Sequence, residues 1–186
     1  MSKKLLEYAG IAASVVLITF GIGAVVTGLL GRSTVRTNLA QEQIVGTPDS
    51  TIPGQTVDTG SEARAFAVVM RKHALAATGG KTYAEMPRFM GKDGQATNDE
   101  KLAAVDPKSG KPVDNAARNI WVSETALTTA LNTAYFAEQV ALFSVVMGLA
   151  LLLTGIGFLV LTLRVLNPTL AADRKRIAAQ AVPVAG

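Results

Sequence analysis

QVALFSVVMGLALLLTGIGFLVLTL, from Gln139 to Leu163, contains no ionisable side chain. A helix rises about 1.5 Å per residue, so roughly 20 apolar residues cross a hydrocarbon core about 30 Å thick. This stretch is long enough to do so. A second one, YAGIAASVVLITFGIGAVVTGLLG from Tyr8 to Gly31, is ionisable only at its tyrosine. A bilayer has no water to satisfy backbone groups, so both stretches are predicted to be helices, and the lack of short alternating strands excludes a barrel. Two buried helices of a soluble core would explain them less well, because uncharged runs beyond about 18 residues are read as membrane spans.

Lys3 and Lys4 before an apolar run also resemble the start of a secretion signal. The run exceeds the roughly 7–15 residues of such a signal, and it ends in Gly28-Leu29-Leu30-Gly31-Arg32 without small residues spaced for cleavage. An uncleaved anchor is predicted.

Lysine and arginine favour the cytoplasmic side. Arg164, Arg174, Lys175 and Arg176 follow the second span against the single acid Asp173, whereas Glu124 and Glu138 precede it. Lys3 and Lys4 are opposed by Arg32 and Arg36, so the tail decides the orientation. Residues 32–138 hold 12 basic and 12 acidic residues, which leaves the net charge of +4 in the termini. That distribution is a topology signal, and it excludes a nucleic-acid protein with basic residues clustered on its folded domain.

The predicted fold is an all-α membrane protein, two transmembrane helices flanking a small helical extracytoplasmic domain. Residues 1–7 form a cytoplasmic N-terminus, 8–31 the first span, 32–138 the outer domain, 139–163 the second span and 164–186 a basic cytoplasmic tail. The predicted location is the cytoplasmic (inner) membrane, with both ends inside.

Within the outer domain three stretches carry the helix-start pattern T-x-x-E: Thr59 to Glu62, Thr82 to Glu85 and Thr97 to Glu100. After the first, Ala63, Phe66, Ala67, Met70, Ala74 and Ala77 share one face, with Arg64, Arg71 and Lys72 away from it and a stop at Thr78-Gly79-Gly80. The other two are predicted to be shorter helices, the second broken near Pro87 or the Gly91–Gly94 turn. The third closes at Asp106-Pro107. Residues 46–60, rich in Gly, Pro, Thr and Asp, read as an extended linker. From Asp114 to Met147 there is neither Gly nor Pro, so a helix starting near Asp114 or Asn115 is expected to run into the second span, with Ser123 as the one candidate break. The core available outside is thin: Phe66, Met70, Met86, Phe89, Leu102, Ile120, Trp121, Leu127 and Leu131. Such a domain is expected to lean on membrane lipid, on its own copies or on a partner. Tyr135, Phe136 and Phe143 suit an interfacial girdle.

Neither span carries the ionisable groups that pumps and transporters place within the membrane. Small residues recur instead: Gly21 with Gly28, Gly148 with Gly155, Ala24 four before Gly28 and Ser144 four before Gly148. They mark a candidate helix-packing face on each span, though glycine is common in membrane helices generally. The tail opens with Asn167-Pro168 and continues with Leu170, Ile177 and Ala178 beside Arg174, Lys175 and Arg176. Together with Lys3, Lys4 and Arg164, these bases suit an anionic membrane surface, or simply a solvated flank.

The sequence has no cysteine and one histidine, His73. Zinc sites, thiol nucleophiles and the iron site of two histidines and a carboxylate therefore cannot be assembled within one chain. No catalytic, cofactor-binding or metal-binding residue is assigned. His73 reads first as a packed or boundary histidine, and secondarily as a pH sensor or ligand.

Val57-Asp58-Thr59-Gly60-Ser61-Glu62-Ala63-Arg64, His73-Ala74-Leu75 through Thr82-Tyr83 to Met86-Pro87-Arg88, and Ala117-Arg118-Asn119-Ile120-Trp121-Val122 through Tyr135-Phe136-Ala137-Glu138 resemble a family of small two-span actinobacterial membrane proteins. Its members often carry the name aromatic-ring-opening dioxygenase, without an established activity. The resemblance implies the two-span fold, and the dioxygenase activity in the name is a disfavoured alternative, because an extradiol dioxygenase needs two histidines and a carboxylate and one chain offers His73 alone. The leading functional expectation is a structural or accessory subunit of a larger membrane complex or homo-oligomer, without nucleic acid or cofactor. An extracytoplasmic sensor or ligand-binding module acting through a separate partner is the alternative, ahead of an enzyme or a pore.

Overall fold

A computed structural model describes residues 3–166 and 172. Arg174, Lys175, Arg176 and the expected helix start at Asn167-Pro168 lie outside the described residues. The element order is α1 (Lys3–Gln41), α2 (Gly60–Ala77), β1 (Phe89–Met90), β2 (Ala96–Thr97) and α3 (Ala116–Leu161), followed by a π-helical turn, Thr162–Leu166. The chain is mostly helical.

α1 has 39 residues and α3 has 46, each longer than one crossing of about 20 residues requires. Asn115 starts α3 by accepting the Ala117 amide at 3.1 Å, and the helix passes Ser123 without a break. The two helices have apolar stretches of mean hydropathy 2.3 and 2.4, of which only 11% and 17% is buried. Phe20, Leu30 and Leu153 stand 69%, 64% and 73% exposed, so these are not helices wrapped by a protein core. Both are long and apolar enough to cross a membrane.

The chain divides into two compact units: Met1–Arg32 with Val140–Gly186, and Ser33–Gln139. In the first, the helix pair, α1 and α3 run antiparallel along a seam of small residues. Gly10 meets Thr162, Gly21 meets Gly148, and Gly28 meets Ala141 and Val145. Ser14 is fully buried and donates its hydroxyl to the Gly10 carbonyl at 2.7 Å. Buried positions recur every seven residues, Ser14, Gly21 and Gly28 on α1 and Ala141, Gly148, Gly155 and Thr162 on α3. That is the spacing of a left-handed coiled seam.

In the second, the three-helix unit, the end of α1 and the start of α3 pack with α2. Leu39, Val57, Ala63, Ala67 and Leu131 form its core, flanked by Val35, Ile44, Ile52, Phe66 and Ala134. α2 begins with the expected reciprocal cap, the Thr59 hydroxyl accepting from Glu62 N–H and the Glu62 carboxylate accepting from the Thr59 amide. It ends at Ala77. The Gly80 amide reaches the Leu75 carbonyl at 2.7 Å, with Gly79 and Gly80 at φ 64° and 78°, where a Cβ would be strained.

Three expectations change. Residues 46–60 are not an extended linker but a closed loop, in which Val45 bridges Thr56 and the Gly46 amide donates to Gln55 at 2.8 Å. The Ile52 carbonyl stands where a Gly46 side chain would be, and the loop carries Val57 fully buried into the core. Residues 32–138 are also not all-α. Thr82 and Glu85 form their cap over a single turn, because Pro87 disfavours a helical Met86. Thr97 accepts from the Asp99 amide two residues on and ends a β-hairpin with Phe89 opposite Thr97, turned through Asp93-Gly94 with Gly94 at φ 79°. Finally, Leu102, Ile120 and Leu127, expected in the core, are 59%, 45% and 52% exposed, whereas Val57, Ala63 and Ala103 fill the buried positions.

Candidate functional site

The three-helix unit is held by charged groups on α1, α2 and α3. Glu138, 6% exposed, accepts the Gly60 amide at 2.6 Å and pairs with Arg36 Nε at 3.0 Å. Gly60 is the first residue of α2, so the carboxylate meets one of the unpaired amides at the positive end of that helix. A side chain at Gly60 would collide with Tyr135 Cα at 2.8 Å, which explains glycine here. One turn further along α2, Arg64 lies over the Tyr135 ring at 4.9 Å, and about two turns beyond it Arg71 lies over Trp121 at 4.6 Å.

Arg71 also pairs with Glu124, its Nε 3.2 Å from Oε1. Glu124 is 3% exposed, and the Arg71 N–H is not aligned with that oxygen, which accepts no hydrogen bond. Beside it, Met70, His73, Ala74, Ala77, Asn119, Ile120, Ser123 and Leu127 complete a groove of about 510 Å³. A larger, mainly apolar groove of about 670 Å³ lies along Val35, Leu39, Ile44, Phe66, Met70, Leu127 and Leu131, with Asn38, Glu42 and Thr133 as polar members. Both grooves share Met70 and Leu127.

Asp49 clasps α2 from the loop. Lys72 Nζ is 3.0 Å from one Asp49 oxygen, and His73 Nε2 is 3.1 and 3.0 Å from the two. Hydrogen bonds from Lys72, then Thr47 and His73, hold the Asp49 carboxyl well below its ordinary range. Glu62 is also lowered: burial pushes it upward, but the Thr59 hydroxyl and the Asp58 and Thr59 amides outweigh that effect. His73 is a boundary residue facing a carboxylate.

The small residues singled out on the spans divide. Gly21, Gly28, Gly148 and Gly155 lie on the seam between α1 and α3 of one chain. A Cβ on Gly21 would stand 2.8 Å from the Gly148 carbonyl oxygen, one on Gly148 2.7 Å from that of Gly21, and one on Gly155 2.8 Å from Ile18 Cγ1. Ala24 and Ser144 instead line an open groove with Thr19, Phe20, Gly23 and Thr27. Lys3 and Lys4 belong to α1, and Arg164 is exposed in the π-helical turn.

Sequence reasoning put Arg64 and Arg71 away from packing and used Glu124 and Glu138 as flanking charges. The structure pairs Arg71 with Glu124, lays Arg64 and Arg71 over the Tyr135 and Trp121 rings, and joins Glu138 to Arg36 and the Gly60 amide. The seven-residue spacing of Arg64 with Arg71, and of Glu124, Leu131 and Glu138, was the signal available. Two of the three stretches quoted for the resemblance also meet, Arg118 Nη1 donating to the Met86 carbonyl at 3.1 Å with its guanidinium 3.9 Å from the Tyr83 ring centre, and just before the third stretch Asn115 Nδ2 donates to the Pro87 carbonyl at 2.9 Å.

Among the described residues no group of three or more His, Cys, Asp or Glu side chains is arranged to hold a metal ion. No protein-family model, curated protein or solved structure matches the chain.

Proposed function

We propose that the protein crosses the cytoplasmic membrane twice, with both termini in the cytoplasm and Arg32 to Glu138 outside, and serves as a structural or accessory subunit. The observation that carries the docking role is the larger groove, where half-buried Phe66 and Met70 and exposed Leu127 form an apolar surface over the core residues Leu39 and Leu131. Soluble surfaces rarely leave such a patch without a use. The glycine face is not offered to the partner, because α1 and α3 use it on each other. Catalysis is not part of the proposal, since the dioxygenase chemistry implied by the family name requires two histidines and the sequence has His73 alone.

A photo-crosslinking residue at Leu127 tests the docking role in native membranes. One discrete membrane-protein adduct, or a dimer of this chain, is expected, and Met70→Asp should abolish it. No adduct above that of a probe at exposed Val68 would reject the role. Orientation is tested with single cysteines at Ser2, Ser109 and Gly186 in a chain that has no cysteine. An impermeant thiol reagent should label only the one at Ser109 in intact cells.

A further inference from the structure

Glu124 lacks something that the packing around it does not provide. Its charge is balanced by Arg71, yet Oε1 accepts no hydrogen bond, and among the described residues it is the one buried side-chain nitrogen or oxygen left so. Oε2 has only the Thr125 hydroxyl, at 3.4 Å. A buried carboxylate gains from every donor it can reach, and native structures seldom leave one short. The groove that Glu124 lines has apolar walls from Met70, Ala74, Ile120 and Leu127, with Ser123 and Asn119 as further polar groups. Its volume of about 510 Å³ lies within the range usual for small-molecule sites.

We propose that this groove binds a small uncharged molecule with an apolar body and one hydroxyl or amide N–H, which donates to the Glu124 carboxylate. The charges decide against an ion. Glu124 and Asp49 face Arg71 and Lys72, with His73 tied to Asp49 through Nε2, so the acids and bases already balance. An added cation would meet Arg71, and an added anion would meet Glu124. What is missing is a donor, not a charge. Ser123 and Asn119 offer the polar end of the ligand a second hydrogen bond, while Met70, Ala74 and Leu127 cover its apolar body. The two grooves share Met70 and Leu127, but Glu124, Ile120, Ser123 and Asn119 line this one alone, so variants at Glu124 and Ile120 separate the inference from the docking role.

The full chain in lipid nanodiscs allows a test with two isomers, n-butanol and diethyl ether, which differ in having or lacking an O–H donor. Trp121, the single tryptophan, lies under Arg71 and reports the site by its emission. Butanol should give a saturable change and bind about tenfold more tightly than the ether, the scale expected for a hydrogen bond to a charged acceptor. Glu124→Gln should narrow that preference. Ile120→Phe, which fills the groove while leaving the carboxylate in place, should abolish binding of both with helix content unchanged. Equal affinity for the isomers, no saturable binding, or butanol binding untouched by Ile120→Phe would overturn the proposal. In those cases Glu124 holds an ordered water only.

Discussion

Inward-facing residues on α3 recur every seven positions in both units, but their chemistry changes at the boundary between them. In the three-helix unit they are Glu124, Leu131 and Glu138, and in the helix pair they are Ala141, Gly148, Gly155 and Thr162. The first set reaches across to a third element, with carboxylates meeting Arg36, Arg71 and the start of α2. The second set removes side chains so that two backbones touch. On the membrane reading, the contrast has one cause. In water, apolar burial draws helices together and charged partners can fix how they meet. In lipid that drive is missing, and close backbone approach takes its place.

Breaking the polar arrangement should have the largest effect. Glu138→Ala leaves the Gly60 amide and Arg36 without their shared acceptor. Because Arg36 is 44% exposed and can turn to water, the expected loss is nearer about 3 kcal/mol than the upper values for buried pairs. Denaturant unfolding followed at Trp121 would measure it, and a change within error would show that Glu138 does not anchor α2. The seam comes next. Gly148→Leu must push α1 away from α3 and should cost about 2 kcal/mol, an overpacking penalty. Gly157→Leu, where a Cβ meets nothing within 4 Å, is the matched control. Thermal unfolding of the two variants in the same detergent should differ clearly, and equal midpoints would reject the seam.

Thr59→Ala removes one half of the α2 cap and should cost about 1 kcal/mol, without altering the helix pair. Hydrogen exchange confined to the first turn of α2 would check both halves of that statement. The smallest effect concerns Asp49, whose carboxyl is held low mainly by Lys72. A depressed carboxyl contributes stability above its ordinary value of 3.8, and that contribution falls away as pH drops below it toward the folded-state value. The loop at 46–57 should therefore exchange faster at about pH 2.5 than at about pH 5 after correction for intrinsic rates, and Asp49→Asn should remove most of the difference. An unchanged difference in the variant would mean that other groups hold the loop.

The long helices, the capped start of α2 and its stop at Thr78-Gly79-Gly80 were legible in the sequence because each follows from neighbouring residues. Uncharged length, reciprocal side-chain caps and paired glycines act locally. The same T-x-x-E pattern was misleading at Thr97 because a hairpin through Asp93-Gly94 used that threonine first. Leu102, Ile120 and Leu127 have the right chemistry for a core, but so few large apolar residues cannot all be covered, and geometry left these outside.

By itself the sequence determined two apolar helices, the charge balance of the segment between them and the small residues available for packing. Only the tertiary structure decided that Gly21 faces Gly148 within one chain, that Glu138 closes the start of α2 seventy-eight residues away, and that Glu124 is buried one donor short. These are contacts between residues distant in sequence. Their partners are set by how α1, α2 and α3 fit together, and no local pattern encodes that choice.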